Sequence, residues 1–181
     1  FPENEFEDAA LSIALRQWGF RCKEIRFKRE RNKDKVADIE MKFIKAKDDK
    51  LFKERPSTLA YAYFPNGTQI GGDITFNDTV LWSTNGKPVN AHEIRPDTYP
   101  PNTKTKLRTY NIIHTLLHEC GHAIGLKHCD QHKDCIMYPY YNGRVTLHDH
   151  DVKRIQSFYG KRKLYHQVLE YFRKRMLRKW H

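Results

Sequence analysis

The chain has 181 residues and a formal net charge of +11, with 39% hydrophobic and 30% charged residues. This length supports one domain with a sizeable core and a short extension. No run approaches the roughly 18 consecutive apolar residues that a membrane-spanning helix needs, so the sequence predicts no transmembrane helix. The chain begins at Phe1 with neither Met nor an apolar leader, and we therefore expect a processed chain.

The first predicted element is an amphipathic helix over residues 5–19. Apolar residues recur at three- and four-residue intervals, acidic residues fill the first turn, and Gly19 is a natural stop. Alternating apolar residues then predict strands over residues 23–28 and 37–46, separated by a basic turn. Two further strands are predicted over residues 59–64 and 73–76.

A polar, proline-containing segment follows over residues 83–109. Loops longer than about 12–15 residues are often functional or mobile. We predict a flexible surface loop, with an exosite as the alternative. The next helix is predicted over residues 107–124, and the last helix of the domain over residues 149–159.

The helix predicted over residues 107–124 carries the pattern H-E-x-x-H-x-x-G-x-x-H. His118 and His122 are four residues apart and therefore project from one face. Gly125 permits a left-handed turn that brings His128 back toward them. Three imidazoles leave the fourth position of a tetrahedral zinc ion open to water, which indicates a catalytic site. Glu119, rotated by about 100° from His118, suits a general base better than a ligand.

Several segments around this pattern point to one family. Met137 lies in Ile136-Met137-Tyr138-Pro139-Tyr140-Tyr141, which resembles the methionine turn of the metzincin clan and, in its Met-Tyr-Pro-x-Tyr form, the matrix metalloproteinases (matrixins). The other similar segments are Ala37-Asp38-Ile39, Gly71-Gly72-Asp73 with Phe76, and the C-terminal helix from Leu147 to Gly160. The resemblance covers most of residues 5–160.

The resemblance implies an α+β fold with a twisted mixed sheet, three main helices and a zinc cleft between upper and lower subdomains. We expect residues 1–160 to form this catalytic domain. In matrixins a strand precedes the first helix, and the few residues before it leave no room for that strand here. We therefore expect a sheet that is short by one strand, and a chain without the matrixin prodomain.

The implied activity is hydrolysis of internal peptide bonds in extended, matrix-type proteins outside the cell, by a monomer, with an apolar residue after the cut bond. Glu119 accepts the proton of the zinc-activated water and delivers it to the leaving amine, while Met137 supports the histidines. The resemblance assigns substrate contacts to Leu59, Ala60, His114, Pro139 and Tyr141. For His114, a satisfied core histidine remains an equal alternative.

Further metal sites are expected to differ from those of the family. Matrixins hold a second, structural zinc, but the matching positions here are Tyr61 and Thr75, which are poor zinc ligands. We predict that this zinc is absent. Asp38 and Asp73 match one family calcium site, so one Ca²⁺ is expected, with two surface aspartates as the alternative.

The four cysteines are Cys22, Cys120, Cys129 and Cys135. Cys129 and Cys135 bracket the loop between the third histidine and the methionine turn. A disulfide between them would brace that loop and is left open. Cys120 is expected to be a buried thiol that faces away from the metal. No C-x-x-C pair supports a zinc finger.

Residues 161–181 carry eight Lys or Arg and one Glu, which is +7 of the total charge. Apolar residues at helical spacing predict a basic amphipathic helix for anionic partners such as sulfated glycans or lipid headgroups, or alternatively an extension packed on the domain. No nucleic-acid-binding motif is present. The rival hypothesis is a non-catalytic zinc-fold binding protein that acts through this tail, and the intact Glu119 argues against it.

Overall fold

The computed structural model describes residues 5–32 and 34–162, with side chains from residue 8 onward. The helices are α1 (Glu5–Arg21), α2 (Lys50–Glu54), α3 (Ala91–Ile94), α4 (Ile112–Ala123) and α5 (Asp149–Tyr159). The strands are β1 (Met41–Ile44), β2 (Ala60–Ala62), β3 (Ile74–Asn77), β4 (Trp82–Ser83), β5 (Val89–Asn90), β6 (Lys106–Leu107) and β7 (Tyr110–Asn111). This α+β content agrees with the predicted fold class.

The largest sheet is mixed and has the strand order β1-β3-β2. Strand β1 runs parallel to β3, and β2 runs antiparallel to it. All four residues of the central strand β3 are buried. Strand β2 therefore forms one edge of this sheet, where its outer backbone groups face away from β3.

The main core lies where α1 packs against α4. Ala10, Ala14 and Trp18 are four residues apart and almost fully buried, so they form one apolar face of α1. The indole N–H of Trp18 donates a hydrogen bond of 3.0 Å to the carbonyl of Leu117 in α4. This bond satisfies the one polar atom of a fully buried side chain and fixes the position of α4.

The predicted strand over residues 23–28 is wrong, because this segment runs along the end of α5 instead of joining a sheet. The backbone N–H of Lys23 donates to the carbonyl of Gly160 at 3.0 Å, and that of Glu24 donates to Tyr159 at 3.2 Å. Ile25 is buried at this contact. The alternation in the sequence therefore reflects packing on a helix end.

Two other predictions about the middle of the chain need correction. The predicted loop over residues 83–109 contains α3 and the antiparallel pair of β5 and β6, with Ala91 fully buried. Helix α4 begins at Ile112 rather than near residue 107, because the Asn111 side chain caps it by accepting from the backbone N–H groups of Ile113 and His114. Helix α5 has its predicted bounds.

The described part of the chain contains no helix that combines the length and apolarity needed to cross a bilayer. The predicted basic helix lies almost entirely outside the described residues. Within them, Arg162 is 5% exposed and donates from its Nε to the carbonyl of Cys22 at 3.0 Å. The chain therefore remains attached to the domain at least to this residue.

Candidate active site

The three histidines of the motif converge at the C-terminal end of α4. His118 and His122 project from the helix, and Gly125 follows it with a φ of 101°, in the left-handed region that glycine favours. The backbone N–H of Leu126 donates to the carbonyl of Gly121 at 2.8 Å, which closes the turn. His128 consequently faces the other two rings.

The converging atoms are the Nε2 nitrogens. That of His122 lies 3.1 Å from Nε2 of His118 and 3.2 Å from Nε2 of His128. We call these three residues the imidazole cluster. Two nitrogens bound tetrahedrally to zinc at roughly 2.0–2.1 Å would lie about 3.3 Å apart. The spacing of the imidazole cluster therefore fits one zinc ion.

The tautomers of these rings also favour a cation. Nδ1 of His118 lies 2.7 Å from the carbonyl of Ile136, and Nδ1 of His122 lies 2.7 Å from that of Leu126. Each Nδ1 therefore carries the proton and donates, which leaves Nε2 as an unprotonated lone pair. Two lone pairs this close repel each other unless a cation lies between them. A zinc ion would supply that cation.

Burial keeps these ligands neutral. It lowers the pKa of His118 to about 3 and that of His122 to about 4, and the neighbouring histidines add to the effect. Partial desolvation also lowers the pKa of His128, although its side chain is exposed. Neutral imidazole is the form that binds zinc, so the cluster is prepared for metal across the neutral pH range.

Glu119 is 5% exposed, and its Oε2 has no hydrogen-bond partner within the described part of the chain. Burial raises the pKa of its carboxyl to about 8. A Zn²⁺ ion nearby would act in the opposite direction and favour the carboxylate. A buried carboxylate oxygen without a partner, next in the chain to His118, has the properties of a proton acceptor for a water molecule.

Met137 is fully buried beneath α4, where it contacts a residue that sequence reasoning missed. A Cβ placed on Gly121 would overlap the Met137 sulfur and lie 3.2 Å from Cζ2 of Trp18. Only glycine therefore allows α4 to approach Met137 this closely. The available signal was a glycine in a helix interior, which costs about 1 kcal/mol relative to alanine and usually has a packing reason.

Asp151 is a second residue that sequence reasoning missed. It is completely buried in the first turn of α5. Its carboxylate accepts from the backbone N–H groups of Ile136 at 2.7 Å, Met137 at 3.3 Å and His148 at 3.2 Å. Hydrogen bonds to a charged group are worth about 1.5–3 kcal/mol each. Asp151 therefore holds the methionine turn against α5.

The predicted substrate strand lies at a free edge of the described sheet. Ala60 begins β2 and pairs with Phe76, and Leu59 precedes it with its carbonyl bonded to Asn77. Just past this strand, the ring of Phe64 lies 5.3 Å from that of His122 in an edge-to-face arrangement and is 43% exposed. Phe64 is an exposed aromatic side chain beside the metal site that the sequence did not single out.

The predicted pocket residues lie next to the imidazole cluster, since the ring of His114 is 6.4 Å from that of His118. His114 is 3% exposed, and its ring is 4.7 Å from that of Tyr141. Its Nδ1 lies 2.8 Å from the carbonyl of Arg144. The Tyr141 hydroxyl accepts from the backbone N–H of Asn111 at 2.7 Å, and Pro139 is half-buried in the same segment. His114 is thus both hydrogen-bonded and in contact with the predicted wall.

The two predicted calcium ligands differ in environment. Asp73 is 7% exposed, and its Oδ1 accepts from the backbone N–H of Glu40 at 2.8 Å, whereas Asp38 is exposed.

At the position of the family's structural zinc, Tyr61 pairs with Thr75 and its hydroxyl donates to Asp49 at 2.9 Å. The absence of that zinc stays a prediction.

All four cysteines are buried and free. The disulfide considered between Cys129 and Cys135 is therefore not formed, and their sulfurs are 3.4 Å apart. A disulfide requires about 2.05 Å. Cys120 is a fully buried free thiol, as predicted.

Comparison with known proteins agrees with this site. The family model described as matrixin matches residues 2–160. Human matrilysin is 32% identical over 161 residues, which cover 86% of this chain and 51% of matrilysin. Horse interstitial collagenase is 30% identical over 128 residues, covering 68% of this chain and 22% of the collagenase. Matrix metalloproteinase-18 of Xenopus laevis is 31% identical over 134 residues, covering 71% of this chain and 24% of the relative.

The chain thus spans between about a fifth and a half of the length of these relatives. The matched region includes the whole zinc pattern, the methionine turn and α5.

Proposed function

Because this chain belongs to the matrixin family of metalloendopeptidases, we propose that it hydrolyses internal peptide bonds of extended proteins with the help of one zinc ion. The observation that carries the proposal is the convergence of three Nε2 atoms at the end of α4, the helix that also carries the buried, unpartnered Oε2 of Glu119. The imidazole cluster would hold the ion. A bound zinc ion would act as a Lewis acid and lower the pKa of a water molecule to about 7.

Glu119 acts first as the general base. Its buried Oε2 accepts a proton from the attacking water, and the same carboxyl then delivers that proton to the leaving amine. The carbonyls of Ile136 and Leu126 hold the rings of His118 and His122 in the required tautomer throughout. Met137 and Gly121 keep these rings in place from below.

The substrate is proposed to add to the edge strand β2 as a further extended strand. Backbone hydrogen bonds from residues such as Leu59 and Ala60 would hold it straight, while pockets select its side chains. His114, Pro139 and Tyr141 are proposed to border the pocket for an apolar residue after the cut bond. Matrix-type proteins outside the cell are the proposed substrates, by likeness to the collagenase and matrilysin relatives.

The test is cleavage of a quenched-fluorescent collagen-like peptide by the zinc-loaded chain, with and without a zinc chelator. The wild type should cut, and the chelator should stop it. Glu119→Ala should retain zinc and lose activity by about 10²–10⁴-fold, the usual contribution of general acid–base catalysis.

Glu93→Ala, on the exposed surface of α3, is the matched control and should cut at the wild-type rate. Full activity of zinc-loaded Glu119→Ala would remove Glu119 from the mechanism. Failure of the zinc-loaded wild type to cut any extended peptide would favour the non-catalytic binding role.

A calcium ion at Asp38 and Asp73 is a further part of the proposal. Asp73 and Glu40 line one open cleft, and carboxylate oxygens are the ligands that Ca²⁺ prefers. Calcium should raise the Tm of the wild type and not that of Asp38→Asn. An equal rise in both proteins would contradict a site at Asp38.

The basic segment 161–181 is proposed as a separate surface for anionic glycans or lipid headgroups, on a secreted monomer. Its support is the charge of +7 within 21 residues. Deleting residues 163–181 should weaken retention on a heparin column and leave peptide cleavage unchanged. Unchanged retention at matched salt would contradict this part of the proposal.

A further inference from the structure

A second group of metal-ligating side chains lies beside the imidazole cluster. Two of the four cysteines and three of the ten histidines fall between residues 129 and 150. Among them, the ligand atoms of Cys129, Cys135 and His150 all lie within 4.8 Å of one another. We call these three residues the thiolate cluster. None of them belongs to the imidazole cluster or to the proposed reaction.

The distances within the thiolate cluster fit a tetrahedral ion. The two sulfurs are 3.4 Å apart, and Nδ1 of His150 lies 3.2 Å from Cys129 Sγ and 3.6 Å from Cys135 Sγ. Ligands at the usual zinc distances of about 2.3 Å for sulfur and 2.0–2.1 Å for nitrogen would lie about 3.6–3.8 Å apart. The observed group needs only small shifts to match.

A fourth ligand is available in the same place. The ring of His132 is 4.7 Å from that of His150, and Nδ1 of His148 is 3.5 Å from Cys135 Sγ. His148 also caps α5, where this nitrogen accepts from the backbone N–H of His150. His132 lies in the loop that the two cysteines enclose. Either imidazole would complete a closed Cys₂His₂ set, the arrangement typical of structural zinc, although His148 Nδ1 would first have to give up its cap bond.

The backbone holds these ligands together without the metal. The N–H of Cys129 donates to the carbonyl of Met137 at 2.7 Å, and the N–H of Cys135 donates to that of His132 at 3.1 Å. The Asn142 side chain bonds the carbonyl of Cys135 at 3.0 Å. His150 enters from the first turn of α5, which Asp151 fastens to the same segment. Two buried cysteines and an imidazole are therefore placed by two different elements at one point.

We propose that Cys129, Cys135 and His150, completed by His132 or His148, bind a second zinc ion with a structural role. Thiolate with imidazole is the ligand combination that favours zinc over calcium or magnesium. The ion would brace the eight residues between His128 and Met137, which join the third proposed catalytic ligand to the methionine turn. It occupies a different place from Tyr61 and Thr75, the positions of the family's own structural zinc.

The test begins with the wild-type chain, loaded with Co²⁺ in place of zinc under reducing conditions. Thiolate bound to cobalt gives a charge-transfer absorption in the near ultraviolet, which three imidazoles and water do not produce. We expect this absorption in the wild type and in His118→Ala, and its loss in Cys135→Ala and in His150→Ala. Cys22→Ala, which removes a buried cysteine outside the cluster, is the matched control and should keep it.

Zinc analysis provides an independent readout. The wild type and Cys22→Ala should bind twice as much zinc per chain as Cys135→Ala, and zinc should protect two thiols of the wild type from alkylation until a chelator is added. The expected total rests on the proposed catalytic zinc, whereas the thiolate absorption and the thiol protection do not. Failure of the catalytic site alone would therefore leave both of these results unchanged.

Two results would overturn the proposal. One is a wild-type cobalt spectrum without the thiolate band, together with alkylation of Cys129 and Cys135 that is as fast with zinc as after the chelator is added. The other is an intact mass of the purified chain that is lower by two hydrogens, with Cys129 and Cys135 recovered as a disulfide-linked peptide. Both measurements use the wild type and remain decisive if the variants fail to fold.

Discussion

The imidazole cluster and the thiolate cluster lie one residue apart in the chain, at His128 and Cys129, and their ligand sets suit different tasks. The imidazole cluster offers three neutral side chains, and His128 is exposed, so a metal held there would keep one position open to solvent. The thiolate cluster has two buried sulfurs and a surplus of neighbouring imidazoles, so its coordination can close completely. An open set of nitrogen ligands supports catalysis, and a closed set with sulfur supports structure.

The two clusters also differ in how the chain builds them. The imidazole cluster is local, since one helix and one glycine turn place all three ligands within eleven residues. The thiolate cluster is assembled by a loop and the start of α5, which must first dock through Asp151. The proposed catalytic metal would thus be held mainly by one helix, and the proposed second metal would fasten the segment that follows it.

The largest expected effect comes from breaking the imidazole cluster alone with His122→Ala. This change removes one ligand and its bond to the Leu126 carbonyl, so the catalytic zinc should be lost. Because a catalytic zinc supplies several kcal/mol, kcat/KM should fall on the order of 10³-fold or more. Peptide cleavage and zinc content measure the result.

His92→Ala is the matched control, since His92 also bonds a backbone carbonyl, that of Tyr99, but lies outside both clusters. It should cut at nearly the wild-type rate. The cobalt–thiolate absorption should persist in His122→Ala. Loss of that absorption together with activity would show that the two sites do not form independently.

A smaller effect is expected from the packing beneath the imidazole cluster. Gly121→Ala places a methyl group against the Met137 sulfur, and overpacking of a core costs about 1–3 kcal/mol. Gly19→Ala is the matched control, because Gly19 also lies in a helix but its added Cβ would meet Phe27 at an ordinary 3.5 Å. The higher helix propensity of alanine should make that variant up to about 1 kcal/mol more stable.

Urea unfolding of zinc-loaded protein separates these two expectations. In a chain of this size, each kcal/mol also moves Tm by roughly 2–4 °C. Equal stability of Gly121→Ala and the wild type would mean that Met137 can move aside, and that the methionine turn does not fix the distance to α4.

The sequence was most informative where a motif, or a regular spacing of apolar residues, lies within a single helix or strand. The zinc pattern and the bounds of α5 could both be predicted, because ligand spacing and capping are properties of a few consecutive residues. The strand predicted over residues 23–28 is not formed. Alternating apolar residues show only that one side of an extended segment is buried, and they do not show what buries it. Here the cover is the end of α5, which only the tertiary structure reveals.

The thiolate cluster and Gly121 show a different limit. The three residues of the thiolate cluster have no short repeated spacing, so the cysteines suggested a disulfide and His150 suggested nothing. Gly121 occupies a variable position of the zinc pattern, and its role depends on a sulfur sixteen residues further along. Contacts between separate elements cannot be deduced from one sequence.

The smallest expected effect comes from His114, an imidazole that belongs to neither cluster although it lies one turn before His118. Replacing it with leucine removes the bond to the Arg144 carbonyl, which should cost about 1 kcal/mol of stability. If the ring also borders the pocket beside Tyr141, the preference for a long over a short apolar residue after the cut bond should rise by about 10-fold.

Paired peptides that differ only at that residue measure this preference as a ratio of kcat/KM values, which a change in the amount of active protein does not alter. His114→Gln is the matched control, since it keeps a donor for the carbonyl and should leave the ratio closer to that of the wild type. A lower stability with an unchanged ratio would identify His114 as a core residue without a role in specificity. Because zinc content should stay constant in both variants, the result separates an imidazole that selects substrate from those that hold metal.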